Sequence, residues 1–201
     1  MKYILFFALC CSLQAAGQTP FHDLNLHTAY GGQFSLRQYK GQKVVIAAVN
    51  ISNFKKKDAL QFWDSLQTAH PKVAFVIIPA SDHDTPAKDG DTPRPDSVTT
   101  AADSAILREV KERVSDKIVL STMGKVSKAE GARQHPLMQW LTQVKQNKHF
   151  DLDVESDVQI YVISESGELY AVLTKDTRLP FLHEVLQQAD VQSSVLAETR
   201  P

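Results

Sequence analysis

The chain has 201 residues, 22 Lys+Arg against 23 Asp+Glu, and 43% hydrophobic residues. That is the composition of one soluble globular domain, and it excludes a collagen-like, coiled-coil or intrinsically disordered chain. A formal net charge of −1 supplies no overall field for nucleic acid or an anionic membrane, which argues against a general polyanion binder.

Met1-Lys2-Tyr3 precedes an apolar run from Ile4 to Leu13 and the small residues Ala15-Ala16-Gly17. A short basic start, a short apolar centre and small residues before a polar Gln18 predict a secretory signal peptide over 1–17. The run is too short for a membrane-spanning helix, which needs about 20 apolar residues, and no later segment approaches that length. The expected destination is the periplasm or the exterior. Both cysteines, Cys10 and Cys11, lie inside this segment, so cleavage near Gln18 leaves no thiol. Cleavage before either cysteine, giving a lipid-anchored protein, is the alternative. Leu9 and Cys10 fit poorly at a position where that cut prefers small residues.

Val44 to Ile51 is an almost unbroken apolar segment rich in β-branched residues, as expected of a strand buried on both faces. Ser52 and Asn53 are helix N-cap types, and Leu60, Trp63 and Leu66/Gln67, widened by Ala59 and Phe62, mark a helix closed by His70-Pro71. Val73–Pro79 predicts a second buried strand. Ser81–Thr100 holds three prolines and five aspartates and reads as a long exposed loop. Ala101–Val114 reads as a helix with Ala102, Ile106, Val110 and Val114 on one stripe, and Ile118–Leu120 as a short strand. Ala132–Gln146 reads as one helix around Leu137, Trp140, Leu141 and Val144. Val158–Ser164, the turn Glu165–Glu168 and Leu169–Thr174 form a hairpin, Leu179–Ala189 a last helix, and 192–201 a loose tail. Strands alternating with helices and ending in a hairpin and a helix predict an α/β domain over 18–191, a central mixed β-sheet flanked by helices. This order resembles a thioredoxin-like fold.

Three stretches sharpen the resemblance. Gly32, Ser35, Leu36, Tyr39, Lys40, Gly41, Val44 and Asn50 match the opening of the glutathione peroxidase family, with its Gly-containing hairpin, Ser-Leu-x-x-Tyr-Lys-Gly turn and first core strand. Gly131 to Leu141 is similar to that family's His-Pro-Leu helix start, and Tyr161 to Gly167 to its final hairpin. The likeness spans about Phe21 to Gln188, and its motifs are structural.

The resemblance implies peroxide reduction by a selenocysteine or cysteine at the start of the first helix, where the helix dipole lowers the thiol pKa. In this chain that position falls on Lys55, or on Phe54 with a one-residue gap. The family's glutamine falls near Asp82, and its tryptophan and asparagine near Ser156 and Asp157. An ammonium cannot replace a thiolate, because peroxide reduction needs a two-electron donor.

Other chemistry-bearing residues are sparse. Lys55, Lys56 and Lys57 at a helix start could hold a carboxylate or phosphate. A solvated charge run is the plainer reading of the three. Asp82, His83 and Asp84 are weak metal candidates, since their spacing matches no calcium loop and an exposed acidic loop explains them. His135 before Pro136 reads as a helix-start residue rather than a base, and Trp63 and Trp140 as core. Hydrolase, zincin and phosphate-loop motifs are missing, and no cofactor is indicated.

The expected function is therefore an exported, redox-inactive member of a peroxidase-type scaffold. It would act by binding a small anion or a protein partner in a shallow pocket edged by Lys55, Asp82 and Asp157. One alternative is a thiol peroxidase-type oxidoreductase of oxidative-stress defence that retains Cys10 or Cys11. The other is a structural or assembly module using the 81–100 loop.

Overall fold

The computed structural model describes residues 19–55, 57–80, 101–173 and 179–188. The predicted signal peptide, the 81–100 loop and the 192–201 tail lie outside them.

The described chain starts with a 3-10 turn, Phe21–Asp23, and a hairpin of β1 (Asn25–His27) and β2 (Gln33–Ser35). The Ser-Leu-x-x-Tyr-Lys-Gly stretch that follows is a capped 3-10 helix, Leu36–Tyr39. Ser35 Oγ accepts from the Arg37 N–H at 3.4 Å, Leu36 is wholly buried, and Gly41 takes φ +80° to turn the chain into the sheet.

Next come β3 (Val44–Asn50), a 3-10 helix Ile51–Lys55, α1 (Lys57–Ala69), β4 (Ala74–Ala80), α2 (Ala101–Arg113) and β5 (Ile118–Leu120). After a further 3-10 helix, Lys128–Arg133, the chain forms α3 (Pro136–Thr142), α4 (Val144–Asn147), β6 (Val158–Ile163), β7 (Leu169–Leu173) and α5 (Leu179–Gln187). The five-stranded sheet has the order β5-β4-β3-β6-β7. Strands β3, β4 and β5 run parallel, while β6 is antiparallel to β3 and β7 to β6. This is the mixed sheet flanked by helices that the sequence predicts.

Every residue of β3 and β4 is buried, because both faces of the sheet are covered. Alternate residues feed two cores. Val45, Ala47 and Val49 join Phe75, Ile77 and Val162 under Leu60, Trp63 and Leu66 of α1, Leu107 and Val110 of α2, and Leu182, Val185 and Leu186 of α5. Val44, Ile46 and Ala48 join Val76, Ile78 and Tyr161 against Phe21, Leu36, Leu137, Met138, Trp140 and Leu141. Both tryptophans are core residues, as their helical spacing predicts. Pro79 is tolerated in a central strand because its carbonyl faces Gly124, which donates to it at 3.1 Å. The missing N–H thus falls beyond the end of β5.

The single helix predicted over Ala132–Gln146 is corrected by the structure. Ala132 and Arg133 belong to the 3-10 helix, where Gly131 sits at φ +57°, and Gln143 at φ −111° separates α3 from α4. Asn147 explains the break. Its buried Nδ2 donates to the carbonyls of Trp140 (3.1 Å) and Leu141 (3.0 Å), which a continuing helix would have given to backbone N–H groups. Its Oδ1 accepts from His149 and Phe150, each at 2.8 Å, so one side chain ends α3 and shapes the next turn. The first helix, expected from the Ser52-Asn53 cap, begins instead as the 3-10 helix Ile51–Lys55 and is α-helical only from Lys57, and the remaining boundaries shift by one or two residues. The α2 stripe gains Leu107, which is buried alongside Val110, while Ile106 and Val114 pack half-buried against the same core.

Candidate functional site

The candidate site lies at the C-terminal end of β3, where the strand turns into α1. In parallel sheets this end is where crossover loops gather and ligands bind. Asn50, the last residue of β3, is buried. Its Oδ1 accepts from Ser52 N–H at 2.9 Å and from Ser52 Oγ–H at 2.7 Å, an Asx-type turn that bends the chain out of the sheet. The 3-10 helix Ile51–Lys55 follows, with Ile51 and Phe54 buried in the core, and α1 begins at Lys57. Phe54 is therefore a packing residue, and Lys55 closes the turn at the position where the resemblance places a peroxidatic residue.

Strand pairing brings the end of β4 and the segment before β6 to the same end. Asn50 lies opposite Ala80, the last residue of β4, so Asp82 follows that strand by two residues in sequence. Asp82, His83, Asp84 and Lys56 themselves lie outside the described residues. Val49 lies opposite Val158, and the Asn50 N–H donates to the Asp157 carbonyl at 2.8 Å. Lys55 and Asp157 thus come from two segments that meet at Asn50. Ser156 differs in kind from its neighbour. Its hydroxyl donates to the Val158 carbonyl at 2.6 Å and serves the local turn.

Gln159, which sequence reasoning did not single out, holds that turn. Almost wholly buried, it donates from Nε2 to the Asp153 carbonyl (3.1 Å) and the Tyr161 hydroxyl (2.9 Å), and accepts the Glu155 N–H at Oε1 (3.0 Å). A polar residue amid the apolar run VQIYVIS was the available signal, since buried amides are kept where they have partners. Burial pushes the Tyr161 phenol up, so it stays neutral and can receive that bond.

His135 is not a base. It is buried, caps α3 by accepting the Leu137 N–H at Nδ1 (3.3 Å), and burial pushes its pKa down to about 4. Among the described residues there is no group of three His, Cys, Asp or Glu placed to hold a metal ion, and no helix long and apolar enough to cross a membrane. Cavities of about 450 Å³ and 620 Å³ lie away from the β3–α1 junction, beside β5 and around Lys43 respectively.

No protein-family profile matches the chain, and no curated protein sequence matches it. Solved structures do. The crystal structure of Trgpx in apo form shares 15% identity over 86% of this chain and 99% of that chain, with a TM-score of 0.55. That of T. cruzi GPX1 shares 12% over 84% and 94%, with a TM-score of 0.48. A thioredoxin-like protein from Aeropyrum pernix shares 15% over 83% and 89%, with a TM-score of 0.49. Identities this low speak to the fold alone. The chain has a thioredoxin-like fold, with a five-stranded mixed sheet flanked by helices.

Proposed function

We propose that this protein is an exported member of the peroxidase-type branch of thioredoxin-like proteins whose catalytic set has been replaced. On this reading it works by binding a small anion or a protein partner at the C-terminal end of β3, without turnover. One observation carries the reading. At the β3–α1 junction, where a thiol would have to stand for peroxide reduction, the chain reads Asn53-Phe54-Lys55, with Phe54 buried in the core and the two cysteines of the sequence at positions 10 and 11. Asp157, meeting this junction through Asn50, replaces an uncharged partner with a carboxylate. The signal-peptide pattern of residues 1–17 supports export.

The test is peroxide consumption by purified residues 18–201, with glutathione and thioredoxin as separate reductants and a heat-denatured control. The expected result is no turnover above control. A parallel titration with inorganic phosphate and acetate, followed by backbone amide shifts, should move Ile51–Lys57 ahead of other residues if the site takes an anion. Turnover, with or without those shifts, would overturn the reading.

A further inference from the structure

At the end of the sheet opposite the candidate site, two imidazoles face one another. His70 ends α1, its N–H still bonded to the Leu66 carbonyl, and is buried. His183 stands in the middle of α5. Their ring centroids are 4.7 Å apart with planes tilted by 32°, and His70 Nε2 lies 2.5 Å from His183 Nδ1. A neutral imidazole carries one donor and one acceptor nitrogen, so this contact holds only while a single hydrogen lies between the two. A proton added to complete both rings would set N–H against N–H and charge against charge.

The surroundings favour the uncharged state of His70. Lys43, at the start of β3, is buried, and its ammonium donates to the carbonyls of Leu186 (3.4 Å) and Gln188 at the end of α5. Lys72, after α1, lines the same cavity as Lys43. Of the carboxylates, Glu184 on α5 is exposed, and Glu165 after β6 lies 3.9 Å from the Lys43 ammonium rather than on the rings. Burial, then His183, then Lys43 push the His70 pKa below its ordinary value.

We propose that the His70–His183 contact is an acid-released latch that fastens α5 to the end of α1 and lets the helix lift when both rings are fully protonated. The sign follows from linkage. A group whose folded-state pKa is depressed takes up protons on opening, so its contribution is present above the ordinary histidine pKa and is lost as pH falls below it. What lifts is one packed unit, because α5 meets the sheet through Leu182, Val185 and Leu186, and its end is held by Lys43 and by the Tyr170 hydroxyl of β7, which donates to Gln188 Oε1 at 2.6 Å. Release bares the apolar face that those three residues cover.

Hydrogen exchange of the purified protein at pH 7.5 and pH 5.5, corrected for the intrinsic pH dependence of exchange, tests this. One proton taken up on opening raises the open fraction about tenfold per pH unit in the active window. The α5 amides should therefore open roughly tenfold more at the lower pH, ahead of those of β3 and β4, and His183→Gln should abolish that selective gain. Loss of α5 protection only in step with the sheet would overturn the latch, as would the same selective gain in His183→Gln. Should that variant fail to fold, imidazole 15N spectra of the native chain decide. Both rings fully protonated while α5 stays protected would overturn the proposal, and α5 loosening along the same titration curve would support it.

Discussion

His135 shows how one residue can do structural work that imitates a catalytic feature. A buried histidine with a displaced pKa in front of a helix invites a functional reading. Here the ring packs 3.1 Å from the position a Cβ on Gly124 would occupy and spends its lone pair on the Leu137 N–H. Capping requires the neutral ring, and burial enforces it. Because the folded-state pKa is depressed from 6.5 to about 4, the unfolded chain binds the proton first as pH falls. The resulting stability is present above about pH 6.5 and drains away toward pH 4, by up to about 3 kcal/mol. His135→Asn keeps a capping oxygen without a titration, so urea unfolding between pH 7 and pH 4 should show a flatter profile for the variant. An unchanged slope would remove His135 from the account. Asn50 is the counterpart at the candidate site. Asn50→Ala removes the acceptor of two Ser52 bonds and should cost about 1–2 kcal/mol in the same assay.

Among the elements, the contrast between α3 and β3 shows which signals a sequence carries. A strand buried on both faces announces itself in composition, and the continuous VVIAAVN run has no other comfortable place in a soluble domain. At the start of α3 the first-turn chemistry of His135 and Pro136 is legible, although the apolar spacing puts the expected helix back at Ala132. The end of α3 is not legible, because the apolar spacing runs on through Val144 and favours one longer helix. Val144 is 42% exposed, however, and the helix is stopped by Asn147 reaching back to the Trp140 and Leu141 carbonyls, a contact that pattern reading does not weigh. The His70–His183 pair is hidden for the same reason, its members being 113 positions apart. Asn147 should accordingly be the most costly polar residue of this layer. Asn147→Ala strands the two carbonyls and the His149 and Phe150 N–H groups, and it should destabilise the protein by about 3 kcal/mol in urea unfolding. A loss below about 1 kcal/mol would mean that water replaces those bonds at little cost.

For the whole molecule, scaffold and chemistry separate. The order of elements, the hairpin and the burial of the central strands follow from periodicity and turn chemistry, which the entire chain encodes redundantly. The candidate site rests on a handful of positions, and a fold of this kind does not specify what they do. Pairing brings Lys55 and Asp157 to Asn50 whether or not they react with anything. The proposed reading therefore makes a demanding prediction about Lys55→Cys, which places a thiol at the start of the first helix. If only the nucleophile had been lost, that substitution would restore a low-pKa thiolate that hydrogen peroxide oxidises rapidly to a sulfenic acid, with water leaving. If the surrounding set is lost as well, with Ser156 committed to the Val158 carbonyl and Asp157 adding a negative charge, the thiol should behave ordinarily. We expect the latter, with a stopped-flow rate within about tenfold of that of a free cysteine and a pKa near 8.5. A rate orders of magnitude higher would show that the junction still activates a thiol, and that its present residue is the only thing separating this scaffold from catalysis.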